Sequence, residues 1–247
     1  MIKTLEDLHE HLQWAIELEH ATIPQYLCAL YSIKDNSNQE SIEVIQSVFI
    51  EEMLHMALVA NIMIATGGKP RLDYPEFIPT YPTPLPHSDK SFEVNLDKFS
   101  PESIECFLKI ERPAKANAPS QDEGFASIGQ FYKALEEGLI YLSKKLDDDI
   151  LFTCDPSHQV TAETTYYGGA GHLIAVTDLK TALKALEEVV EHYNSQLQAS
   201  STLDPALEQT CETGLFLTEQ DKKDLVAFLK TLTDNDLTTN SEYSTPF

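Results

Sequence analysis

Basic residues are scarce in this chain: 17 Lys and Arg stand against 40 Asp and Glu, a formal net charge of −23. Nucleic acid and anionic membranes are polyanions, so like-charge repulsion argues against both as partners. Cysteine is sparse too. Cys28, Cys106, Cys154 and Cys211 are scattered, with no CxxC pair and no CxxCH. That spacing offers no zinc ribbon, no redox dithiol and no covalent haem site. The opening MIKTLEDLHEHLQW lacks a signal-peptide-like apolar stretch, and no later run is expected to reach membrane-spanning length. The expectation is a cytoplasmic protein whose four cysteines are free thiols. No solenoid-type repeat is present. What the chain does have is 42% apolar residues in a length of 247, enough for one large domain with extensions.

Helical periodicity dominates the first and third quarters. Leu5, Leu8, Leu12, Ile16, Ile23, Tyr26 and Leu30 recur at helical spacing behind an N-cap at Thr4, which predicts a helix over 4–34. Pro24 inside it predicts a kink or a break. A second helix is expected over about 40–66, stopped by Gly67-Gly68 with Pro70 beyond. The stretch 70–86 then holds six prolines in seventeen residues and cannot be regular structure. FEVNL reads as a short strand and SPESIECFLKIERP as a short helix. A third long helix is expected over 123–147, with Ile128, Tyr132, Leu135, Leu139, Leu142 and Leu146 on its apolar face, HLIAVTD as a strand, and a fourth helix from the Asp178 cap to about Leu197. The sum is all-α: a four-helix bundle with one long irregular crossover between helices two and three, and a small amphipathic helix near the C-terminus. Residues 1–198 are expected to form the bundle, with a Pro-rich insertion at 70–120, and 199–247 a C-terminal extension.

Two helices carry acids where the core should be. At about 100° per residue, Glu19 falls in the middle of the apolar stripe of helix one, while Glu17 points the opposite way. Glu52 shares its arc with Ile45, Val59 and Met63, and His55 lies one turn on at the stripe's edge. A buried carboxylate protonates, pairs or binds metal. Two facing glutamates with a histidine at i+3 form the half-set of ligands used in carboxylate-bridged di-iron bundles. Hard carboxylates neutralise the cation and imidazole adds a ligand without charge. Glu19, Glu52 and His55 are therefore the expected metal ligands and catalytic residues. The alternative for them is a buried Glu–His hydrogen-bonded pair. Tyr26, two turns after Glu19, reads either as core filling or as a redox-active tyrosine in catalysis. His9, His11 and His20 are expected at the surface.

ELEHATIPQY and EEMLHMALVANIM…GGKP resemble the first two helices of the ferritin-like superfamily, and the 33-residue step from Glu19 to Glu52 is similar to that in bacterioferritin and rubrerythrin. More closely, AIELEHATIPQYLCALYSIKD, FIPTYPTPLP, SIGQFYKALEEGL and VTDLKTALKALEEVVE resemble the ferritin-like domain of the iminophenyl-pyruvate dimer synthase family, over residues 5 to 198. That resemblance implies a ferritin-like bundle and oxidative coupling of amino-acid-derived imines on the route to bisindole pigments.

The second half departs from the pattern. Helix three offers Glu136 at the border of its apolar stripe. Helix four has no Glu-x-x-His, leaving Glu187 and Glu191 as metal ligands; the resemblance implies an acid where this chain has Asn194. A solvated helix face is the other reading of these acids. The end, LTEQDKKDLVAFLKTLTD…TTNSEYSTPF, resembles the tail of di-haem cytochrome c peroxidases without their haem motifs, and reads as a packing helix or a docking segment for a protein partner. The expected function is a metal-dependent oxidoreductase, of di-iron carboxylate type, acting on a small organic substrate. The alternative is a non-catalytic scaffold binding a metal or a partner. The expected cofactor is iron, as one or two ions, in a donor set that equally suits manganese or zinc. The Pro/Tyr loop is a natural lid or pocket wall, and a homo-oligomer paired along bundle sides fits the helix lengths.

Overall fold

The structure, a computed structural model, describes residues 2–34, 37–115, 117–162 and 172–194, without the side chains of 191–194. The C-terminal extension with its amphipathic helix lies outside the described residues. Helix α1 spans Leu5–Tyr31. Its start is a capping box: the Thr4 hydroxyl accepts from the Asp7 N–H at 3.1 Å, and the Asp7 carboxylate accepts from the Thr4 N–H at 3.0 Å. The helix runs through Pro24 unbroken. Helix α2, Gln39–Ala65, returns beside it. His9 meets Thr66 and Thr22 meets Glu52, so the two run antiparallel. Gly67 ends α2 at φ +82°. Its N–H donates to the Ile64 carbonyl, and that of Gly68 to the Met63 carbonyl. This left-handed cap satisfies the last carbonyls, and a side chain would strain it.

The crossover winds across the bundle through a two-stranded ribbon, β1 Thr83–Pro84 and β2 Glu93–Val94, and helix α3 Pro101–Ile110. It is tied to α1: Tyr81 donates to the Ala21 carbonyl, Tyr74 to Glu17, and the Phe99 N–H to Ser32 Oγ. Helix α4, Ile128–Leu146, is followed by the short α5, Asp148–Leu151, and by α6, Leu179–Asn194. In the described residues α1 packs on α2 and α4, and α6 on α4 and α2, which closes a four-helix bundle. The core between them is Leu8, Leu12, Ile16, Leu58, Ile62, Leu135, Leu139 and Val189, all fully buried.

Four expectations are corrected. Helix α4 begins at Ile128, not 123, because the preceding residues dock on the crossover. Gly124 turns at φ +61° and donates to the His87 carbonyl, and the Asp89 N–H donates to the Phe125 carbonyl. Residues 172–178 are not a strand, since long-range side chains take their backbone bonds. Gln159 exchanges two with Val176, and Asn61 donates to the Ile174 carbonyl. Helix α2, at 27 residues, is long and apolar enough to cross a membrane, against the expectation; half of its most apolar stretch is buried inside the bundle. His11 is buried beside Trp14 and Phe131 of α4, and His9 and His20 are half-buried against Thr66 at the α2 cap and Phe77 of the crossover.

Candidate metal centre

Antiparallel packing of α1 on α2 sets Glu19 against Glu52 and His55 at mid-height. Glu19 and Glu52 are fully buried, and His55 is 2% exposed. Each offers a ligand atom, and these atoms lie within 4.8 Å of one another. His55 Nδ1 is 3.4 Å from Glu19 Oε2. The i, i+3 offset of Glu52 and His55 aims both side chains at one point. Ligands of one ion, each bonded at about 2.0–2.2 Å, lie roughly 3–4 Å apart, so the trio fits a small cation with little adjustment. It is the only such His, Cys, Asp or Glu group among the described residues.

Neighbours hold the carboxylates in place. The Thr22 hydroxyl donates to Glu52 Oε2 at 2.7 Å, and the Tyr132 hydroxyl on α4 donates to Glu19 Oε1. Burial, then the charges of Glu19 and Glu111, push Glu52 well above the usual carboxylate range. Burial also works against ionisation of Glu19, yet the hydrogen bond and charge of His55, with help from Glu52 and Tyr132, leave it below that range. The same burial and mutual repulsion that oppose charge on Glu52 would be offset by a cation between the two carboxyls, which favours the ionised form of both. Burial and the Glu19 charge hold the Tyr132 phenol protonated, as its donor role requires.

Of the remaining predicted residues, Tyr26 lies close enough to feel the Glu52 charge, whereas Glu136 and Glu187 are not brought to this point. Tyr26 is 1% exposed, and its hydroxyl donates to Glu111 at the end of α3 rather than to the trio. Glu136 is exposed on α4 and lines a surface cavity of about 310 Å³ with Lys115 and Lys133. Glu187 is exposed on α6, whose buried face is Ala182, Ala185, Leu186 and Val189. Each helix turns an arc toward its neighbours that excludes these acids. Glu191 is on the last turn of α6, and its side chain lies outside what is described. Glu17, read as pointing away, is bound by His87 at 3.0 Å and by Tyr74.

Sequence reasoning missed Tyr132, Thr22 and Glu111. Tyr132 was visible only as one more member of the α4 apolar stripe. Thr22 is one turn from Glu19 on the same face. Glu111 closes α3 just before Pro113, and nothing in its spacing marks it.

Comparisons with known proteins agree with the geometry. A family model described as ferritin-like matches residues 12–204. The chain is similar to the crystal structure of a ferritin-like protein from Caulobacter vibrioides, at TM-score 0.60 and 21% identity, covering 94% of this chain and 97% of that one. Likeness at that identity concerns the fold. No curated protein matches the chain.

Proposed function

The chain belongs to the ferritin-like family, and from that premise we propose that it is a non-haem, metal-dependent oxidoreductase acting on a small organic substrate. The observation that carries the reading is the convergence of Glu19, Glu52 and His55 inside the buried core. Two carboxylates and an imidazole suit iron, and manganese or zinc by the same donor chemistry. A bound iron would supply activation of dioxygen or peroxide. The chain's own residues do the rest: Glu19 and Glu52 balance the charge, Thr22 and Tyr132 orient the two carboxylates, and the apolar shell excludes bulk water. In this reading Tyr26 stands beside the centre as its redox-active tyrosine, held by Glu111. The substrate class is an amino-acid-derived imine, on the strength of the sequence blocks that resemble the dimer synthase family. The scattered, unpaired spacing of the four cysteines supports a cytosolic site of action, and the charge of −23 argues against nucleic acid or anionic membrane as partners. The C-terminal segment is the place for a protein partner.

A second reading, a scaffold that holds an ion without turnover, draws on one observation. The two surface cavities described, about 310 and 580 Å³, do not include Glu19, Glu52 or His55 in their walls. Metal analysis and oxygen uptake separate the readings. The enzyme reading expects iron that drives oxygen consumption with substrate-class imines, lost in Glu52→Ala and His55→Ala but kept in Glu17→Ala. Equal iron in all three variants refutes the ligand set, and bound iron without turnover leaves the scaffold.

A further inference from the structure

The four helices contribute unequally to the site. Helices α1 and α2 give the trio. At the same depth α4 gives a phenol, that of Tyr132, fully buried with its hydroxyl on Glu19 Oε1. The buried face of α6 in the described residues is aliphatic: Ala182, Ala185, Leu186 and Val189. Among the described side chains of these two helices, the acids expected to serve a second ion, Glu136 and Glu187, face solvent. The one other carboxylate beside the trio, Glu111, comes from the crossover and accepts the Tyr26 hydroxyl.

We infer that the centre is built for a single ion, and that Tyr132 is a positioning residue that occupies Glu19 Oε1 so that only Oε2 reaches the ion. This rests on the reading of the trio as a metal site. A carboxylate can close on a cation with one oxygen or two. The hydrogen bond from Tyr132 takes up a lone pair of Oε1 and fixes the carboxylate's orientation, which leaves Oε2 as the oxygen beside His55. Glu52 is restrained in the same way by Thr22 on its Oε2. Glu19, Glu52 and His55 would thus hold an ion with three protein ligands, the number used in catalytic rather than structural metal sites. A phenol suits this task where an acid does not. It donates to Glu19 without adding a third negative charge to a pocket that already holds two carboxylates. The second ion of a two-ion centre would need anionic ligands from α4 and α6, and there the described core offers no carboxylate: its polar members are the Tyr132 phenol and the Gln130 amide.

Cobalt(II), whose visible spectrum reports coordination number, tests the inference on the full chain, on Tyr132→Phe and on Glu136→Gln. Expected is one cobalt per chain for the natural protein and for Glu136→Gln, with the same spectrum. In Tyr132→Phe the freed Glu19 oxygen joins the ion, so visible absorption weakens, and affinity falls roughly tenfold or more, as for other residues that orient a ligand. The ultraviolet difference spectrum of the natural chain on loading should contain no tyrosinate band, a measurement that holds even if Tyr132→Phe does not fold. Two ions per chain, a tyrosinate band, or an unchanged spectrum and affinity in Tyr132→Phe would each overturn the inference. No cobalt in the folded natural chain would overturn it differently, by removing the metal reading itself.

Discussion

Along α1 and α2 the core holds Glu19, Thr22, Gln25, Glu52, His55 and Asn61 among its apolar residues. Along α4 and α6 the described core is Phe131, Leu135, Leu139, Leu142, Ala182, Ala185, Leu186 and Val189, with Tyr132 and Gln130 as its polar members. The halves form one bundle, yet one concentrates charge and the other excludes it. Buried charge is costly unless compensated, and aliphatic packing is the main source of stability. The apolar half therefore holds the fold, and the polar half keeps potential ligands assembled at a cost that a bound cation would offset.

The contrast breaks first where packing is removed. Leu135 is fully buried on α4. Leu135→Ala should cost about 2–5 kcal/mol, the range for leucine truncation in a close-packed core. Urea unfolding of metal-free protein measures it, and a cost below about 1 kcal/mol would mean that this half does not carry the fold. The second effect belongs to the other half. Manganese at about a hundredfold excess over its Kd should raise the unfolding free energy by about 2.7 kcal/mol. The same increment is expected in Leu135→Ala, since Leu135 is not a ligand, and none in Glu52→Ala. A rise in Glu52→Ala equal to the natural protein's would show that the ion binds elsewhere.

The two halves were not equally legible in the sequence. Glu19, Glu52 and His55 could be found because an acid in the middle of a 3.6-residue apolar stripe has no cheap structural reading. Glu136 and Glu187 were misplaced because a helical wheel gives an angle but not which neighbour lies across it. On α4 the buried arc runs through Tyr132, Leu135 and Leu139, and Glu136 falls outside. Tyr132 itself was counted as core. That was right for its ring and silent about its hydroxyl, whose acceptor lies 113 residues away. The strand expected at 172–178 failed for the same reason: Gln159 and Asn61, distant in the chain, supply its hydrogen bonds. Local periodicity records what one element wants to bury; pairings between elements leave no local trace.

The smallest effect lies at the far end of the polar half, where His9 joins α1 to the cap of α2. Its Nε2 is 3.0 Å from the Thr66 carbonyl and 3.1 Å from the Thr66 hydroxyl, beside the Gly67–Gly68 stop. Burial pushes its pKa below the ordinary 6.5, and the bond to Thr66 only partly opposes that. The unfolded chain therefore takes up this proton more readily than the folded one, so stability rises with pH through this group. The contribution is present above the unfolded value of 6.5 and is lost as pH falls through the lower folded value. Glu6, Glu10, Glu17 and Arg71 share the cavity rim with His9. Between about pH 7 and 5 the natural chain should lose more stability than His9→Gln, whose amide can still donate to Thr66 without titrating. Urea midpoints of the two metal-free chains at both pH values measure the difference. Parallel slopes would mean that this junction answers to packing alone, and that acid sensitivity in the polar half belongs to the metal centre.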